Sequence, residues 1–272
     1  MTSPAKCGLA VMANDRVYDW FLPFLRSFRA HNPDMPGVVI PYHNDMKRTA
    51  AAAAEHGFEV AQYDFATIDR FARKLFPRNR YRRHKLRKLA VFDLPFETTI
   101  YLDIDTLVLA NFDALAGVLA PGEAEFVYAS LSPEWVYKPN YTDIPVLAGK
   151  PLFSDGFFVS SQRFLSSAQI METIRENLSL YRALRRDDVY CQPAINFATH
   201  IRGLALQSVS AVTPDLSDVT FYEAEGIVAD RNSYRDTEGR TLLFVHWAGA
   251  KSGDADADPR FGELWRRYRE DS

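Results

Sequence analysis

Two aspartates, Asp103 and Asp105, follow an apolar, β-branched run in TTIYLDIDTLVL, residues 98–109. Burying an unpaired carboxylate is costly, so such a pair either ends a strand at solvent or holds a cation. Side chains at i and i+2 point to the same side of a strand, so both can converge on one ion. Carboxylate oxygens suit Mg²⁺ or Mn²⁺ that also binds substrate phosphates. The spacing thus indicates a candidate metal site, although a solvated strand end explains the short motif equally well.

A second candidate is VHWAGAKSG, residues 245–253. His246 offers an imidazole nitrogen, Gly249 and Gly253 let backbone N–H groups approach a phosphate, and Lys251 supplies a compact positive charge. A histidine beside a tryptophan is, on its own, more often a core residue. Taken with the aspartate pair, it predicts a combined metal and diphosphate site.

The composition is that of a globular protein. The 272 residues are 47% apolar and 25% charged, with a net charge of -3, so we expect one domain over residues 1–272 without general affinity for nucleic acid. The chain has no apolar run long enough for a bilayer and no secretory signal at its N-terminus, which predicts a cytoplasmic protein. Cys7 and Cys191 cannot form a metal cluster alone and are predicted to be buried thiols.

The elements in front of the aspartate pair follow the order βαβαβ. A short apolar run from Cys7 stops at Asn14 and Asp15, and a helical pattern, a second strand, an alanine-rich helix and a third strand follow before residue 64. This order predicts an α/β fold with a mostly parallel open sheet flanked by helices. Ligands of such sheets collect beyond the carboxyl ends of the strands, so Asn14, Asp15 and the aspartate pair should share one rim.

Later segments complete the predicted sheet. Residues 68–94 show a helical pattern ending before Pro95, AEFVYAS and LFSDGFFVSS are predicted strands, and residues 163–184 and 187–201 are predicted helices. About twenty residues rich in proline and aromatics connect the two strands, and a connection of that length is usually functional or mobile. Trp135, Tyr137 and Tyr141 in this connection can stack on the apolar face of a ligand or pack back on the domain.

The order of YLDIDTLVL, SDGFFVSS, CQPAIN and HWAGAK resembles the nucleotide-sugar glycosyltransferases of the GT-A fold, particularly family 8, the glycogenin and bacterial lipopolysaccharide galactosyltransferase group. The resemblance covers most of the chain. It implies a Rossmann-like nucleotide-diphospho-sugar transferase fold and a metal-dependent transfer with retention. The implied donor is a nucleotide diphosphate sugar, UDP-linked above all, and the acceptor is a hydroxyl of a carbohydrate or another molecule.

The resemblance also implies roles for individual residues. Asp103, Asp105 and His246 would bind Mn²⁺ or Mg²⁺, and the ion would hold the diphosphate of the donor. The residues implied to contact the nucleotide are Asn14, Asp15, Tyr18, Lys88, Asp103 and Lys251.

Three residues are candidates for the chemistry at the sugar. The helix motif of the family reads aspartate then glutamine, but this chain has Cys191 and Gln192. Asp188, about one turn earlier, can replace the missing carboxylate. Asp155 occurs in the middle motif, where it can orient the donor sugar or accept a proton from the acceptor. Breaking a sugar–phosphate bond gives the sugar oxocarbenium character, which a carboxylate or amide supports.

The segment RNRYRRHKLRK, residues 78–88, is strongly basic. It is either a solvated helix face or the element from which Lys88 reaches the nucleotide. Nucleic-acid binding is disfavoured because no stacking platform or recognition motif accompanies the charge. Together with the tail LWRRYRE, the segment can instead contact an anionic membrane surface.

Two other functions fit parts of the sequence. DIDTL matches the nucleophile motif of haloacid dehalogenase-like phosphatases, and GDADAD imitates their later acidic motif. In those enzymes, however, the first motif follows the first strand, whereas three predicted strands come before Asp103. A non-catalytic sugar-nucleotide binder on the same fold is the other alternative, and Cys191 favours it.

Overall fold

A mixed sheet with helices on both faces forms the centre of the computed structural model, which describes residues 6–79, 82–230 and 233–270. The strands are β1 Cys7–Ala13, β2 Gly37–Pro41, β3 Phe58–Val60, β4 Thr98–Leu102, β5 Thr106–Val108, β6 Phe126–Tyr128, β7 Phe157–Ser160, β8 Leu206–Ser208, β9 Val228–Asp230, β10 Ser233–Arg235 and β11 Phe244–His246. The helices are α1 Tyr18–His31, α2 Lys47–Glu55, α3 Ala66–Leu75, α4 Ser167–Glu176, α5 Leu178–Leu184, α6 Cys191–Ile201, α7 Val209–Val212, α8 Ser252–Asp256 and α9 Gly262–Arg269.

Seven strands form the main sheet in the order β3-β2-β1-β4-β7-β6-β8. Neighbouring strands run parallel except for β7, which is antiparallel to both β4 and β6. The predicted α/β class with a mostly parallel open sheet is therefore confirmed. β1 and β4 are adjacent and parallel, so the residues that follow them lie at the same edge of the sheet.

Side chains of the central strands alternate between two cores, one on each face of the sheet. In β1, Leu9 and Val11 pack into the core under α1 and α2, while Ala10 faces the core under α4 and α6. In β4, Ile100 and Tyr101 divide in the same way. Burial on both faces explains why these strands read as continuous apolar runs rather than as alternating patterns.

The run TTIYLDIDTLVL forms two strands instead of the single central strand predicted. β4 ends at Leu102, the two aspartates occupy the turn, and β5 leaves the main sheet to pair antiparallel with β11. A third core, which includes Trp247 and Trp265, packs between this two-stranded ribbon and α9. The central strand ends directly before the aspartate pair, as the sequence indicates, whereas the second strand was not predicted. Two carboxylates in the middle of a buried ladder would lack partners, and the turn leaves them open to solvent.

Two predicted helices are broken. The helix expected over residues 68–94 ends at Leu75, because Pro77 disfavours helical backbone in Phe76, and a 3-10 segment follows over Arg82–Asp93. Arg80 and Tyr81 of the basic segment lie outside the described residues. The helix expected over residues 163–184 is α4 and α5, separated at Asn177. Within the described part of the chain, no helix has the length and apolarity that a membrane crossing requires.

Candidate active site

The aspartate turn is fixed by backbone hydrogen bonds. The Asp103 N–H donates to the Gly156 carbonyl at 2.8 Å, and the Thr106 hydroxyl donates to the Asp103 carbonyl at 2.8 Å. The Trp247 N–H donates to the Asp105 carbonyl at 2.9 Å. Since β4, β7 and β11 all hold the turn, the two carboxylates are positioned by the fold rather than by their own loop.

His246 reaches the turn through the pairing of β5 with β11. The register places His246 opposite Thr106, and its Nε2 lies 3.1 Å from Asp105 Oδ1. One ligand atom each of Asp103, Asp105 and His246 lies within 4.8 Å of the others. The side chains of both aspartates are 28% exposed, so an ion from solvent can reach them. Two carboxylates and an imidazole are a donor set that suits Mg²⁺ or Mn²⁺.

Gly156 forms part of the wall of this cluster. A Cβ at this position would lie 2.6 Å from His246 Cε1 and 3.4 Å from Asp103 Oδ2, so any larger residue would displace the imidazole. The sequence analysis quoted this glycine within SDGFFVSS but gave it no role. A glycine beside an apolar strand is a signal for the close approach of another group, and that signal was present.

Lys88 joins the aspartate turn to Asp155. Its Nζ lies 3.1 Å from Asp103 Oδ1 and 3.0 Å from Asp155 Oδ2, and it also donates to the Asp155 carbonyl at 3.0 Å. The side chain is only 6% exposed. Burial alone would lower the pKa of Lys88, but Asp103 and Asp155 raise it well above its ordinary value, so the amine stays charged. Of the two alternatives for the basic segment, the inward-pointing Lys88 agrees with the functional one.

The remaining titratable groups of the cluster differ in the direction of their pKa shifts. Burial, together with the nearby Asp105 and Asp155, raises the pKa of Asp103 despite Lys88. Burial would also raise the pKa of Asp105, but His246 holds it below the usual range. Asp105 in turn raises the pKa of His246 against the effect of burial. The cluster thus concentrates negative charge, and Lys88 and His246 are the cations that offset it among the contacts described above.

The beginning of α6 contributes Cys191 and Gln192. Gln192 Oε1 accepts the Asp155 N–H at 3.3 Å, while Gln192 Nε2 is buried and has no hydrogen-bond partner. The Cys191 thiol donates to the Lys85 carbonyl at 2.7 Å, and burial raises its pKa, so it is a neutral thiol. The prediction of a buried thiol is confirmed for Cys191, whereas Cys7 is partly exposed.

Asp188 does not lie on α6. The helix begins at Cys191, so the argument that Asp188 lies one turn earlier on the same helix was wrong. Its carboxylate pairs with Arg186 at 2.9 Å, and its side chain is about half exposed. The guanidinium of Arg186 lies 4.9 Å from the ring centre of Trp135. The structure thus places Asp188 in a surface cluster with Arg186.

Residues that follow β1 lie at the same edge of the sheet as the aspartate turn. Asn14 Oδ1 accepts the Arg16 N–H at 3.3 Å, and the buried Asn14 Nδ2 has no partner. The Asp15 carboxylate accepts the N–H groups of Arg48 and Thr49 at 3.1 and 2.8 Å, at the start of α2. Although burial opposes the change, these N–H groups lower the pKa of Asp15. Asp15 thus caps a helix.

Tyr18 and Lys251 have more exposed positions. The Arg48 guanidinium lies 3.9 Å from the centre of the Tyr18 ring, so one face of the ring is already covered. Lys251 is exposed and comes directly before α8, where its backbone N–H donates to Asp254 at 2.7 Å.

The aromatic residues of the long connection separate into two kinds. Tyr137 is 2% exposed and packs against Tyr141 and His200, so its ring is not open to a sugar. Trp135 is 50% exposed. Trp135 is therefore more open to an acceptor than Tyr137, although the Arg186 guanidinium lies over one face of its ring.

The later acidic motif has structural partners. Asp256 pairs with Arg266 and Arg269, and Asp258 accepts the indole N–H of Trp247 at 3.3 Å. Asp103 follows β4, the central strand of the main sheet, rather than its first strand in sequence. Both observations count against the haloacid dehalogenase-like alternative.

Comparisons with known proteins agree with the architecture. No protein-family model matches the chain, and no curated protein matches it in sequence. The solved structure of the galactosyltransferase LgtC with donor and acceptor sugar analogues is similar at TM-score 0.67 and 16% identity, over 96% of this chain and 95% of LgtC. The bifunctional glycosyltransferase WbbM is similar at TM-score 0.64 and 11% identity, over 100% of this chain but only 50% of WbbM.

The glycosyltransferase GlyE of Streptococcus pneumoniae is similar at TM-score 0.55 and 11% identity, over 99% of this chain and 61% of GlyE. All three structures are glycosyltransferases, and the similarity extends over nearly the whole of this chain. The protein therefore has the GT-A fold of nucleotide-sugar glycosyltransferases and resembles family 8, as its motifs predict.

Proposed function

We propose that this protein is a metal-dependent glycosyltransferase that moves a sugar from a nucleotide diphosphate donor to a hydroxyl acceptor. The observation that carries the proposal is the convergence of Asp103, Asp105 and His246 within 4.8 Å at the carboxyl end of a central strand. His246 is separated from the two aspartates by more than 140 positions in the sequence. The comparison with LgtC supports the choice, because that protein binds donor and acceptor sugar analogues on the same fold.

The three candidate ligand residues and the neighbouring Gly156 fit a divalent cation. Asp103, Asp105 and His246 would hold Mn²⁺ or Mg²⁺, and Gly156 leaves the space beside the imidazole. When bound, the ion supplies Lewis-acid stabilisation of the diphosphate leaving group. Lys88 keeps Asp103 in place by an ion pair that is largely shielded from solvent.

Asp155 and Gln192 are proposed to act at the sugar. Lys88 and Gln192 hold Asp155 from two sides, so its carboxylate has a defined position near the aspartate turn. A fixed carboxylate supports the positive charge that develops on the sugar as the bond to phosphate breaks. The unpartnered Nε2 of Gln192 can donate to a sugar oxygen. LgtC also has an active-site glutamine, and retention of configuration is proposed on the same resemblance.

The nucleoside is proposed to lie beyond the end of β1. The buried Nδ2 of Asn14 is a donor without a partner, and Tyr18 offers an aromatic ring beside it in sequence. Asp15 would act on the nucleotide through α2, whose first turn it caps. Lys251 is proposed as the diphosphate contact, and UDP as the nucleotide. A catalytic role for Asp188 stays a prediction, and it would require Arg186 to release the carboxylate.

Contact with an anionic membrane surface is a further proposal. Arg266 and Arg269 of α9 pair with Asp256, whereas Arg267 is exposed. A cytoplasmic location, from which such a surface is reached without crossing the bilayer, stays a prediction.

A panel of nucleotide diphosphate sugars, each assayed with and without Mn²⁺, tests the proposed function. We expect at least one UDP- or GDP-linked sugar to raise the melting temperature only when the ion is present, and the shift to disappear in Asp105→Ala. Release of the nucleotide diphosphate together with a glycosylated acceptor identifies a transferase. Metal-dependent binding without turnover of any donor identifies a sugar-nucleotide binder. Hydrolysis of a generic aryl phosphate, lost in Asp103→Asn, identifies a phosphatase and contradicts the proposal.

A further inference from the structure

A basic cavity of about 550 Å³ lies between the end of α3 and the end of α5, outside the cluster described above. Its charged lining residues are Lys74, Arg78, Arg182, Arg185 and Asp187, and Phe76 forms an apolar part of the wall. Four cations thus face a single carboxylate in a chain whose net charge is -3. A local excess of positive charge in a concave site raises the local concentration of anions.

Arg185 is the most buried cation of this cavity. Its side chain is only 14% exposed, and its guanidinium lies 4.5 Å from the centre of the Phe76 ring. One nitrogen pairs with Asp187 at 3.1 Å, and another is 3.4 Å from the Leu75 carbonyl. Arg185 Nε is buried and has no hydrogen-bond partner among the residues that the structure describes. A buried donor without an acceptor is costly, and an incoming oxyanion would satisfy it.

The ion pair between Arg185 and Asp187 is weak. The side chain of Asp187 is 83% exposed, so water screens the ion pair and the carboxylate can move away at little cost. Lys74, Arg78 and Arg182 are exposed around the opening, where they add charge without closing the cavity. The planar guanidinium of Arg185 is the group best suited to bind two oxygens of a phosphate at once.

The cavity adjoins the candidate active site through Tyr190. The Tyr190 ring packs 4.6 Å from the ring of Phe76, and Tyr190 is followed directly by Cys191 and Gln192 at the beginning of α6. The Asn79 amide, which also lines the cavity, donates to the Tyr190 hydroxyl. A ligand in the cavity would therefore lie one side chain away from the helix that carries Gln192.

We propose that this cavity binds a phosphate or phosphate-ester group, and that it is the subsite for an anionic group on the acceptor. The binding of the oxyanion stands on the cavity alone, whereas its assignment to the acceptor rests on the proposed function. The rival explanation is that the cations only complement the carboxyl ends of α3 and α5, in which case no anion binds.

Titration with inorganic phosphate tests the proposal without donor or metal. Calorimetry in the presence of EDTA compares the wild type with Lys74→Glu and Arg182→Glu, two exposed positions where folding should be retained. Arg267→Glu on α9 makes the same charge change far along the chain and is the matched control. We expect saturable binding that weakens about tenfold or more in the two cavity variants and is unchanged in the control. Absence of binding to the wild type, or equal weakening in all three variants, overturns the proposal.

Two further measurements identify the source and the role of the anion. Binding of glucose 1-phosphate would indicate a soluble phosphate ester, and binding of vesicles of phosphatidylcholine with phosphatidylglycerol would indicate a lipid headgroup. Whichever probe binds to the wild type must bind more weakly to Arg182→Glu. Once transfer is established, saturating phosphate should raise the acceptor KM and leave the donor KM unchanged. Failure of transfer with all donors would refute the proposed function and leave the phosphate titration intact, so the two failures are distinguishable.

Discussion

Aspartates spaced two residues apart occur in two places in this molecule, and the two groups differ in the kind of partner they have. Asp103 and Asp105 lie in the turn after β4, where Lys88 and His246 are the cations that offset them. The aspartates of GDADAD, by contrast, accept hydrogen bonds that hold α8 and α9 together, with Asp256 paired to Arg266 and Arg269.

The difference is one of surroundings rather than of residue type. Near the turn after β4, Asp155 adds a third carboxylate, and the pKa of Asp103 is raised because burial and like charges disfavour its ionised form. Near α9, two arginines lower the pKa of Asp256 through direct hydrogen bonds. A carboxylate cluster that its own neighbours do not neutralise is the one that can recruit a cation.

Replacing Lys88 by methionine should have the largest effect on stability. The substitution removes the cation between Asp103 and Asp155 and leaves two poorly solvated carboxylates, which costs about 3–5 kcal/mol of unfolding free energy. Because Mn²⁺ can replace part of the lost positive charge, the ion should recover part of the loss. Urea denaturation with and without Mn²⁺ measures both effects. A Lys88→Met protein as stable as the wild type would show that the cluster is not short of positive charge.

Replacing Gly156 by alanine should have an intermediate effect on stability. The new Cβ would overlap the imidazole of His246, so we expect a loss of about 1–3 kcal/mol together with a weaker response to Mn²⁺. Gly253→Ala is the matched control, because a Cβ there meets no atom within 4 Å. Thermal melting of both variants with and without Mn²⁺ makes the measurement. An unchanged Mn²⁺ response in Gly156→Ala would contradict the position assigned to His246.

Replacing Asp258 by alanine should have the smallest effect on stability of the three substitutions. It should leave Mn²⁺ binding unchanged. Its carboxylate accepts the indole N–H of Trp247 and the backbone N–H groups of Arg260 and Phe261. Losing these bonds should cost about 1–2 kcal/mol. Chemical denaturation gives the cost, and a Mn²⁺ titration of the same variant serves as the check. Loss of Mn²⁺ binding in this variant would mean that the two aspartate groups are not independent.

Much of the fold follows from local patterns in the sequence. The βαβαβ order, the central position of β4 and the placement of the aspartates at a carboxyl edge depend on short periodic runs and on the general geometry of parallel sheets. Helix boundaries were harder to predict, because the break at Pro77 and the start of α6 at Cys191 depend on competition between local backbone preferences and packing. A single domain over residues 1–272 stays a prediction.

The candidate site was predictable in its residues but not in its contacts. The order of the motifs predicted that Asp103, Asp105 and His246 share one site. The pairing of β5 with β11 places these three side chains together. The bridge from Lys88 to Asp155 is a tertiary contact between residues far apart in the chain, so no local pattern specifies it. The wall formed by Gly156 had a local signal, a glycine beside an apolar strand, but the sequence alone does not say which group approaches that glycine. The position of Asp188 was inferred from a local pattern, the spacing of residues along a helix. The chain does not adopt that helix before Cys191, so the inference about its position was wrong.

Direct binding of Mn²⁺, followed by electron paramagnetic resonance, tests the central claim. The account predicts that the wild type binds one equivalent of the ion, that Asp105→Ala loses this binding, and that Asp256→Ala retains it. Equal binding by Asp105→Ala and the wild type would contradict the account, because the ion would then lie somewhere other than the turn after β4.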